Sequence, residues 1–275
     1  MQKVDCKRYA DEIIESVKNI PDKDKALLIV HAGDDPASAA YMRGKIKDCG
    51  RCGVPVMQWK AGTEKELVGI IRLANCMTNI GGIIVQLPLP KGWDESVVDL
   101  VALEKDVDGF RKNSPFQPCT PEGIVHILHR ELGNDLSGKR VLIIGRGKLV
   151  GRPLYELLQY QENMEVMQIN SHEKYIHAIS NGSPAGIMWH CIITATGQPK
   201  LLDVCRCNTN LIIDAGITRG DDGKLCGDCY NFEELARMEE IYEGYNPSIT
   251  TVPGGVGLMT RAMLMKHMGE VQKRK

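Results

Sequence analysis

Arg140-Val-Leu-Ile-Ile-Gly-Arg-Gly-Lys-Leu-Val-Gly151 is the stretch that decides the fold. Its first five residues, four of them aliphatic, have the length and composition of a buried strand. The glycines then lead into an amphipathic segment beginning near Arg152-Pro153. A strand, a glycine turn and a helix in that order present the helix's first backbone N–H groups to an anion, as dinucleotide-binding folds do for a pyrophosphate. The turn Gly145–Gly151 is one residue longer than the common G-x-G-x-x-G spacing, so its context carries more weight than its spacing.

Outward from this stretch, strand-like and helix-like segments alternate in both directions. Val166–Ile169, Cys191–Ala195 and Asn210–Asp214 continue the series, and Ala26–His31, Val54–Gln58 and Gly82–Gln86 form an earlier one. The expected fold class is α/β, with two α/β domains and a cleft between them, the second a Rossmann-type dinucleotide-binding domain. The Pro-rich segment Ser114–Pro121 marks the crossing, with a helix from Glu122 to Arg130 behind Thr120 as N-cap and Pro121 at the first helical position. The expected domains are 1–119 plus 254–275, and 120–253.

Composition narrows the partners. With 34 basic and 35 acidic residues the formal net charge is -1, which provides no electrostatic footprint for nucleic acid or an anionic membrane. No apolar run approaches the roughly 18 residues of a membrane span. The opening Met1–Cys6 lacks the apolar core of a secretory signal, so a cytoplasmic protein with a small-molecule partner is expected. Among the 10 cysteines, Cys49/Cys52 and Cys226/Cys229 have the gap used by zinc sites, but a zinc knuckle needs both pairs to meet. The reading is free thiols packed as small apolar side chains, and no metal.

Chemistry-bearing residues cluster in the earlier series. Asp35 caps a helix that carries Pro36 in its first turn, and along it Ser38, Tyr41 and Lys45 share one face. Tyr-x-x-x-Lys also occurs in short-chain dehydrogenases, but there it follows the cofactor fingerprint, and here it precedes the glycine turn by about a hundred residues. Val85-Gln-Leu-Pro-Leu-Pro90 places Gln86 at a strand terminus, and Lys105-Asp-Val-Asp-Gly-Phe110 sets two acids against a glycine turn. Pro253-Gly-Gly-Val-Gly-Leu-Met-Thr260 reads as a loop whose glycines let backbone approach a flat ligand, or as a plain tight turn. Where NAD-specific folds place an acid after the second strand, Asn170-Ser171 is neutral, and Arg146 and Lys148 suit the 2′-phosphate of NADP. Glu173 leaves NAD open.

Taken in order, these segments resemble the bifunctional methylenetetrahydrofolate dehydrogenase/methenyltetrahydrofolate cyclohydrolases. The resemblance covers nearly the whole chain: Ser38-x-x-Tyr41-x-x-x-Lys45, Val85–Pro90, Lys105–Gly109, Pro118-Cys-Thr-Pro121, Gly145-Arg146 with Val150-Gly151-x-Pro153, and Pro253–Gly257. It implies a multifunctional oxidoreductase and hydrolase of one-carbon metabolism and purine biosynthesis, usually a homodimer, with tetrahydrofolate substrates in an interdomain cleft. The expected reactions are NADP-dependent oxidation of 5,10-methylenetetrahydrofolate and hydrolysis of the methenyl product to 10-formyltetrahydrofolate. Hydride transfer loses no proton and needs orientation, whereas hydrolysis needs a proton-shuttling group.

By resemblance that group is Lys45, with Gln86 orienting it and Tyr41 stacking on the folate. Ser38, Asp108, Pro253, Gly254 and Gly255 complete the substrate side, with Asp108 pairing with the pterin's amino and ring N–H groups. Gly145, Arg146, Gly147, Val150, Gly151, Ser171, Thr196, Gly197, Gly257 and Thr260 are the cofactor residues, and a final helix follows Thr260. The chain departs from the family pattern at Gly147 (commonly Ser), Asn170 (commonly His), Thr251 and Leu258 (commonly Pro), and in an insertion around 180–184. The alternatives are a monofunctional methylenetetrahydrofolate dehydrogenase preferring NAD, and a dinucleotide- or folate-binding regulator without turnover.

Overall fold

The structure is a computed structural model that describes residues 2–20, 23–33, 35–172, 176, 188–220, 223–241 and 247–274, without the side chains of 36–37 and 238–241. It contains two compact units, Met1–Tyr9 with Thr120–Thr260, and Ala10–Cys119 with Arg261–Lys275. Glu173 and the insertion at 180–184 lie outside the described residues. No described helix is long and apolar enough to cross a membrane.

In the first of these units β1 (Gln2–Lys3), β5 (Arg140–Ile144), β6 (Glu165–Ile169), β7 (Cys191–Thr194), β9 (Leu211–Asp214) and β13 (Ser248–Ile249) form one parallel sheet in the order β1-β13-β9-β7-β5-β6. Two short pairs lie outside it: β8 (Leu202–Asp203) with β12 (Cys229–Tyr230), and β10 (Thr218–Arg219) with β11 (Leu225–Cys226). Strand β5 is hydrogen-bonded on both sides, and Val141, Leu142, Ile143 and Ile144 are all fully buried. That burial on both faces is why the strand is a continuous aliphatic run.

Residues 1–9 belong to this unit and not with residues 10–119, because β1 pairs in parallel with β13 and Val4 N–H extends the ladder to Ile249 O at 3.0 Å. Helix α4 (Cys119–Leu132) starts earlier than Glu122, so Thr120 is a helical residue and not the N-cap. The chain is already anchored there by Cys119 N–H to Asp108 O at 3.2 Å. Pro121 remains in the first turn, where its missing N–H leaves no bond unmade.

In the other unit β2 (Ala26–Ala32) lies between β3 (Val56–Ala61) and β4 (Ile80–Val85), all parallel. Helices α2 (Pro36–Cys52) and α3 (Glu64–Cys76) alternate with these strands along the chain, and α1 (Cys6–Lys18), whose residues from Ala10 on belong to this unit, precedes them. Strand β3 begins at Val56, later than the expected Val54, because Val54 N–H is used on Cys49 O (2.9 Å) to close α2 behind Gly53, which has φ 69°. Strand β4 carries Gly82, where a Cβ would lie 2.6 Å from Met268 Sδ and 2.8 Å from Val107.

The final helix (Val256–Lys273) corrects the reading of Pro253–Thr260 as one loop. Only its first part is a turn: Gly254 has φ +101°, and a Cβ on Gly255 would collide with Thr251 O. Thr260 is a full turn into the helix, its hydroxyl bonded to Val256 O at 3.1 Å. A glycine at position 257 does not prevent this, since the first turn makes few intrahelical bonds that it could weaken.

Candidate active site

Helix α2 is started by Asp35, whose Oδ2 accepts Ser38 N–H at 2.7 Å, with a proline in the first turn. Its inward face carries Lys45, only 4% exposed, with Nζ donating to Gln86 Oε1 at 3.2 Å and lying 5.1 Å from the centroid of the Tyr41 ring. Gln86 sits just past β4, where its N–H still bonds Val30 O at 2.8 Å. Its Nε2 donates to Leu87 O at 2.7 Å, which fixes the amide with its oxygen toward the lysine. Lys45, Gln86 and Tyr41 therefore lie together in the structure.

The hydrogen-bond partner of Lys45 is a neutral amide and not a carboxylate. The acid one turn along, Asp48, is engaged by Arg261 (Nε–Oδ2 2.9 Å) and Arg51 (Nη1–Oδ1 3.5 Å). A side chain at Gly44 would collide with the Arg261 guanidinium, so the glycine gives this clamp its room. Ser38 Oγ is buried without a hydrogen-bond partner among the described residues. An orphaned hydroxyl on the lysine's side of the helix is what a hydrogen-bonding ligand would satisfy.

Two side chains of Lys105-Asp-Val-Asp-Gly109, Lys105 and Asp106, are spent on the scaffold. Lys105 Nζ donates to Ala74 O, Asn75 O and Met77 O at 2.9, 2.8 and 2.7 Å, closing the carboxyl end of α3. Asp106 accepts the N–H groups of Arg111 (2.9 Å) and Gly109 (3.2 Å), and Gly109 has φ +74°. Asp108 does neither. The carbonyls flanking its side chain are pinned, Val107 O by His267 Nδ1 at 2.8 Å and Asp108 O by Cys119 N–H. Its half-buried carboxylate accepts no hydrogen bond among the described residues. Sequence reasoning missed Lys105, Asp106 and His267 as supports of Asp108, because their partners are distant backbone carbonyls or local amides.

On the other unit, Gly145 has φ +126°, and a Cβ on Gly151 would collide with Gly145 O. Both glycines are thus required by the backbone itself. Among the described residues the amides of Arg146, Gly147 and Lys148 donate no hydrogen bond, and nothing lies within 4 Å of a Cβ built on Gly147. A turn with open donors and open space ahead of helix α5 (Gly151–Glu156), for which Val150 is the N-cap position, fits a phosphate. Gly257 likewise has nothing within 4 Å of a built Cβ, so the protein's own packing does not require it to be glycine. Pro253, Gly254, Gly255, Gly257 and Thr260 all fall in this unit, with Thr260 Oγ1 3.0 Å from Thr120 Oγ1.

Ser171 Oγ accepts Gln198 Nε2 at 3.1 Å, and the Thr196-Gly197-Gln198 turn hangs on one buried acid. Asp228 accepts Thr196 N–H (2.8 Å), Thr196 Oγ1–H (2.9 Å) and Gln198 N–H (2.9 Å), and Gly197 has φ +67°. Asp214 beside it accepts the N–H groups of Gly216, Asp228 and Cys229 at 3.0, 3.1 and 2.9 Å. Burial raises the Asp228 pKa from its ordinary value, against the pull of the Thr196 N–H and with help from the charge on Asp214.

Since a raised native pKa means the folded state binds the proton more tightly, this group's contribution to stability falls as pH rises from about 4 through that raised value. Asp228→Asn removes the dependence and one acceptor oxygen. Its melting temperature should lie below wild type at low pH, and the gap should narrow as pH rises. A gap that widens with pH in thermal melts contradicts the assignment.

The two cysteine pairs lie in different units. Burial pushes Cys49 up to about 12 and Cys52 to about 11. Among the described residues no group of three or more His, Cys, Asp or Glu is placed to hold a metal.

Both parts of the chain match models of one family. Residues 4–108 match the tetrahydrofolate dehydrogenase/cyclohydrolase catalytic domain, and residues 118–275 match its NAD(P)-binding domain. The chain belongs to the tetrahydrofolate dehydrogenase/cyclohydrolase family. A bifunctional protein FolD of Agathobacter rectalis is 36% identical over 280 residues, covering 96% of this chain and 95% of the relative. The crystal structure of the bifunctional FolD dehydrogenase/cyclohydrolase of Campylobacter jejuni is 31% identical with a TM-score of 0.86, covering 99% of each chain. That of Trypanosoma brucei FolD, complexed with NADP cofactor and inhibitor, is 25% identical with a TM-score of 0.83, covering 99% of this chain and 97% of that one. The two-domain α/β fold with a Rossmann-type unit is thus the family's fold.

Proposed function

We propose that this chain oxidises 5,10-methylenetetrahydrofolate with NADP and hydrolyses the resulting 5,10-methenyltetrahydrofolate to 10-formyltetrahydrofolate. The observation that carries this reading is Lys45, buried, on a neutral partner and beneath an aromatic ring. A dehydrogenase alone has no need of it, and a binding protein has none either.

The unit of residues 10–119 and 261–275 is the folate-binding catalytic domain, and the other binds NADP. Asp108 takes the pterin's amino and ring N–H groups with its two oxygens, a charge-assisted pair. Ser38 donates or accepts one further bond, and Tyr41 covers the ring face. The assignment of Pro253, Gly254 and Gly255 to the substrate rests on the family resemblance. NADP, when bound, supplies the acceptor for the hydride that leaves the methylene carbon. Gly145, Arg146, Gly147, Val150 and Gly151 hold its phosphates, with Ser171, Thr196, Gly197, Gly257 and Thr260 completing its site.

The methenyl product is a cation whose one-carbon bridge is open to attack by water, and Lys45 lies within reach as the proton-shuttling group. The lysine takes a proton from the attacking water as the C–O bond forms, and N5 gains a proton as its bond to the carbon breaks. Of the water's two protons, one ends on N5 and the other leaves to solvent. Gln86 Oε1 keeps Nζ aimed throughout. The place in one-carbon metabolism and purine biosynthesis, the homodimer and the cytoplasmic setting rest on the family resemblance.

The purified chain mixed with methylenetetrahydrofolate should reduce NADP, with kcat/KM exceeding that for NAD roughly tenfold or more, the worth of one charge-assisted bond to the 2′-phosphate. Reduction with NAD alone and no formyl product would leave the monofunctional alternative. No reduction with either nucleotide contradicts the reading.

A further inference from the structure

Gln168 lies on β6, the edge strand beside β5, and its side chain reaches the glycine turn. Nε2 donates to Gly145 O at 2.9 Å and to Gly151 O at 2.8 Å, the two ends of the turn. Its backbone oxygen accepts Arg146 Nη2 at 2.9 Å. The two carbonyls converge because Gly151 packs directly under Gly145. Shielded carbonyl oxygens that face one another repel and need a shared donor. No backbone N–H bonds Gly145 O among the described residues: Arg152 N–H is used on Gly147 O, and Leu154 N–H on Val150 O.

We propose that Gln168 is the positioning residue of the cofactor site, a brace that closes a turn one residue longer than the common spacing. In a trans peptide the C=O and the following N–H point in opposite directions. Holding Gly145 O against Gln168 therefore turns Arg146 N–H outward, to the side on which a phosphate is received. The bond from Arg146 to Gln168 O sets the guanidinium beside the end of β6, where the ribose 2′-substituent lies in this fold. Gln168 thus couples the shape of the phosphate turn to the placement of the charge that reads the 2′-phosphate. The proposal rests on Gly145–Gly151 being the phosphate turn.

The test uses the full chain with Gln168→Leu, Gln168→Glu and, as a control on the turn, Arg146→Ala. Near neutral pH both Gln168 variants should raise the NADP KM about tenfold or more, a loss of at least one hydrogen bond to a shielded carbonyl. Their folate KM and methenyl hydrolysis should stay within about twofold. Gln168→Glu should regain NADP affinity as pH falls toward 5, where a protonated carboxyl restores one donor, and Gln168→Leu should not. If Arg146→Ala raises the NADP KM while both Gln168 variants match wild type, the brace is wrong and the turn assignment stands. If none of the three variants moves it, the turn assignment falls and the brace with it. Parallel losses in both KM values and in hydrolysis would show a general structural role and overturn the proposal. Should Gln168→Leu fail to fold, the presence or absence of pH rescue in Gln168→Glu decides alone.

Discussion

Lys45→Met is expected to lower methenyl hydrolysis by about 10²–10⁴-fold, the usual worth of a positioned acid–base group. The hydride step should fall far less, since it moves no proton and asks only for orientation. Methionine suits a site where the lysine is 4% exposed, because its unbranched stem fills nearly the same volume. The substitution leaves Gln86 Oε1 without its donor, a cost of roughly 1–3 kcal/mol in stability. Gln86 itself stays in place, held by Leu87 O and by the backbone bond to Val30. Both activities measured on one preparation check this. Hydrolysis at the wild-type rate would remove the lysine from the mechanism.

Asp108→Asn should have the opposite signature. On the proposed assignment of Asp108 both reactions use the same pterin contact, so kcat/KM for the dehydrogenase and for the cyclohydrolase should fall together, by about 100-fold for a loss of roughly 3 kcal/mol in charge-assisted hydrogen bonds. The NADP KM should not change. Stability should change little, because this carboxylate accepts no hydrogen bond among the described residues. Asp106→Asn is the contrast, since Asp106 holds the turn through Arg111 and Gly109 N–H groups. Thermal melts set beside the kinetics of both variants separate recognition from scaffold. An Asp108 variant that loses stability but keeps folate affinity contradicts the division.

The sequence was most legible where local pattern and burial agree. Strand β5 is aliphatic because it is covered on both faces, and the glycines after it are forced by positive φ at Gly145 and by the contact of Gly151 with Gly145 O. The start of α2 was equally readable, since Asp35 caps by a bond to its own near neighbour.

Two-residue strands are different. Neither β1 nor β13 is long enough to carry a period, and their pairing joins positions at opposite ends of the chain, so the allegiance of residues 1–9 had no local signal. The start of the final helix was hidden by glycines that favour a loop reading. Asp106 and Asp108 are chemically identical in sequence, and only the turn decides which is spent on amides. Gln168 reads as an ordinary polar position of a strand, and its role appears only when Gly145 and Gly151 are folded onto it. Asp228 is silent for the same reason, because the Thr196 turn it holds is distant along the chain.

The central claim is that one folate site serves both reactions and that Lys45 separates them. The most direct measurement follows a progress curve of methylenetetrahydrofolate and NADP with the Lys45→Met chain, recording reduced nucleotide and methenyltetrahydrofolate together. The account predicts that methenyltetrahydrofolate accumulates in step with reduced nucleotide, decaying only at the uncatalysed rate, whereas the wild-type chain passes it on to the formyl product. Methenyltetrahydrofolate consumed by the variant as fast as by wild type would contradict the account.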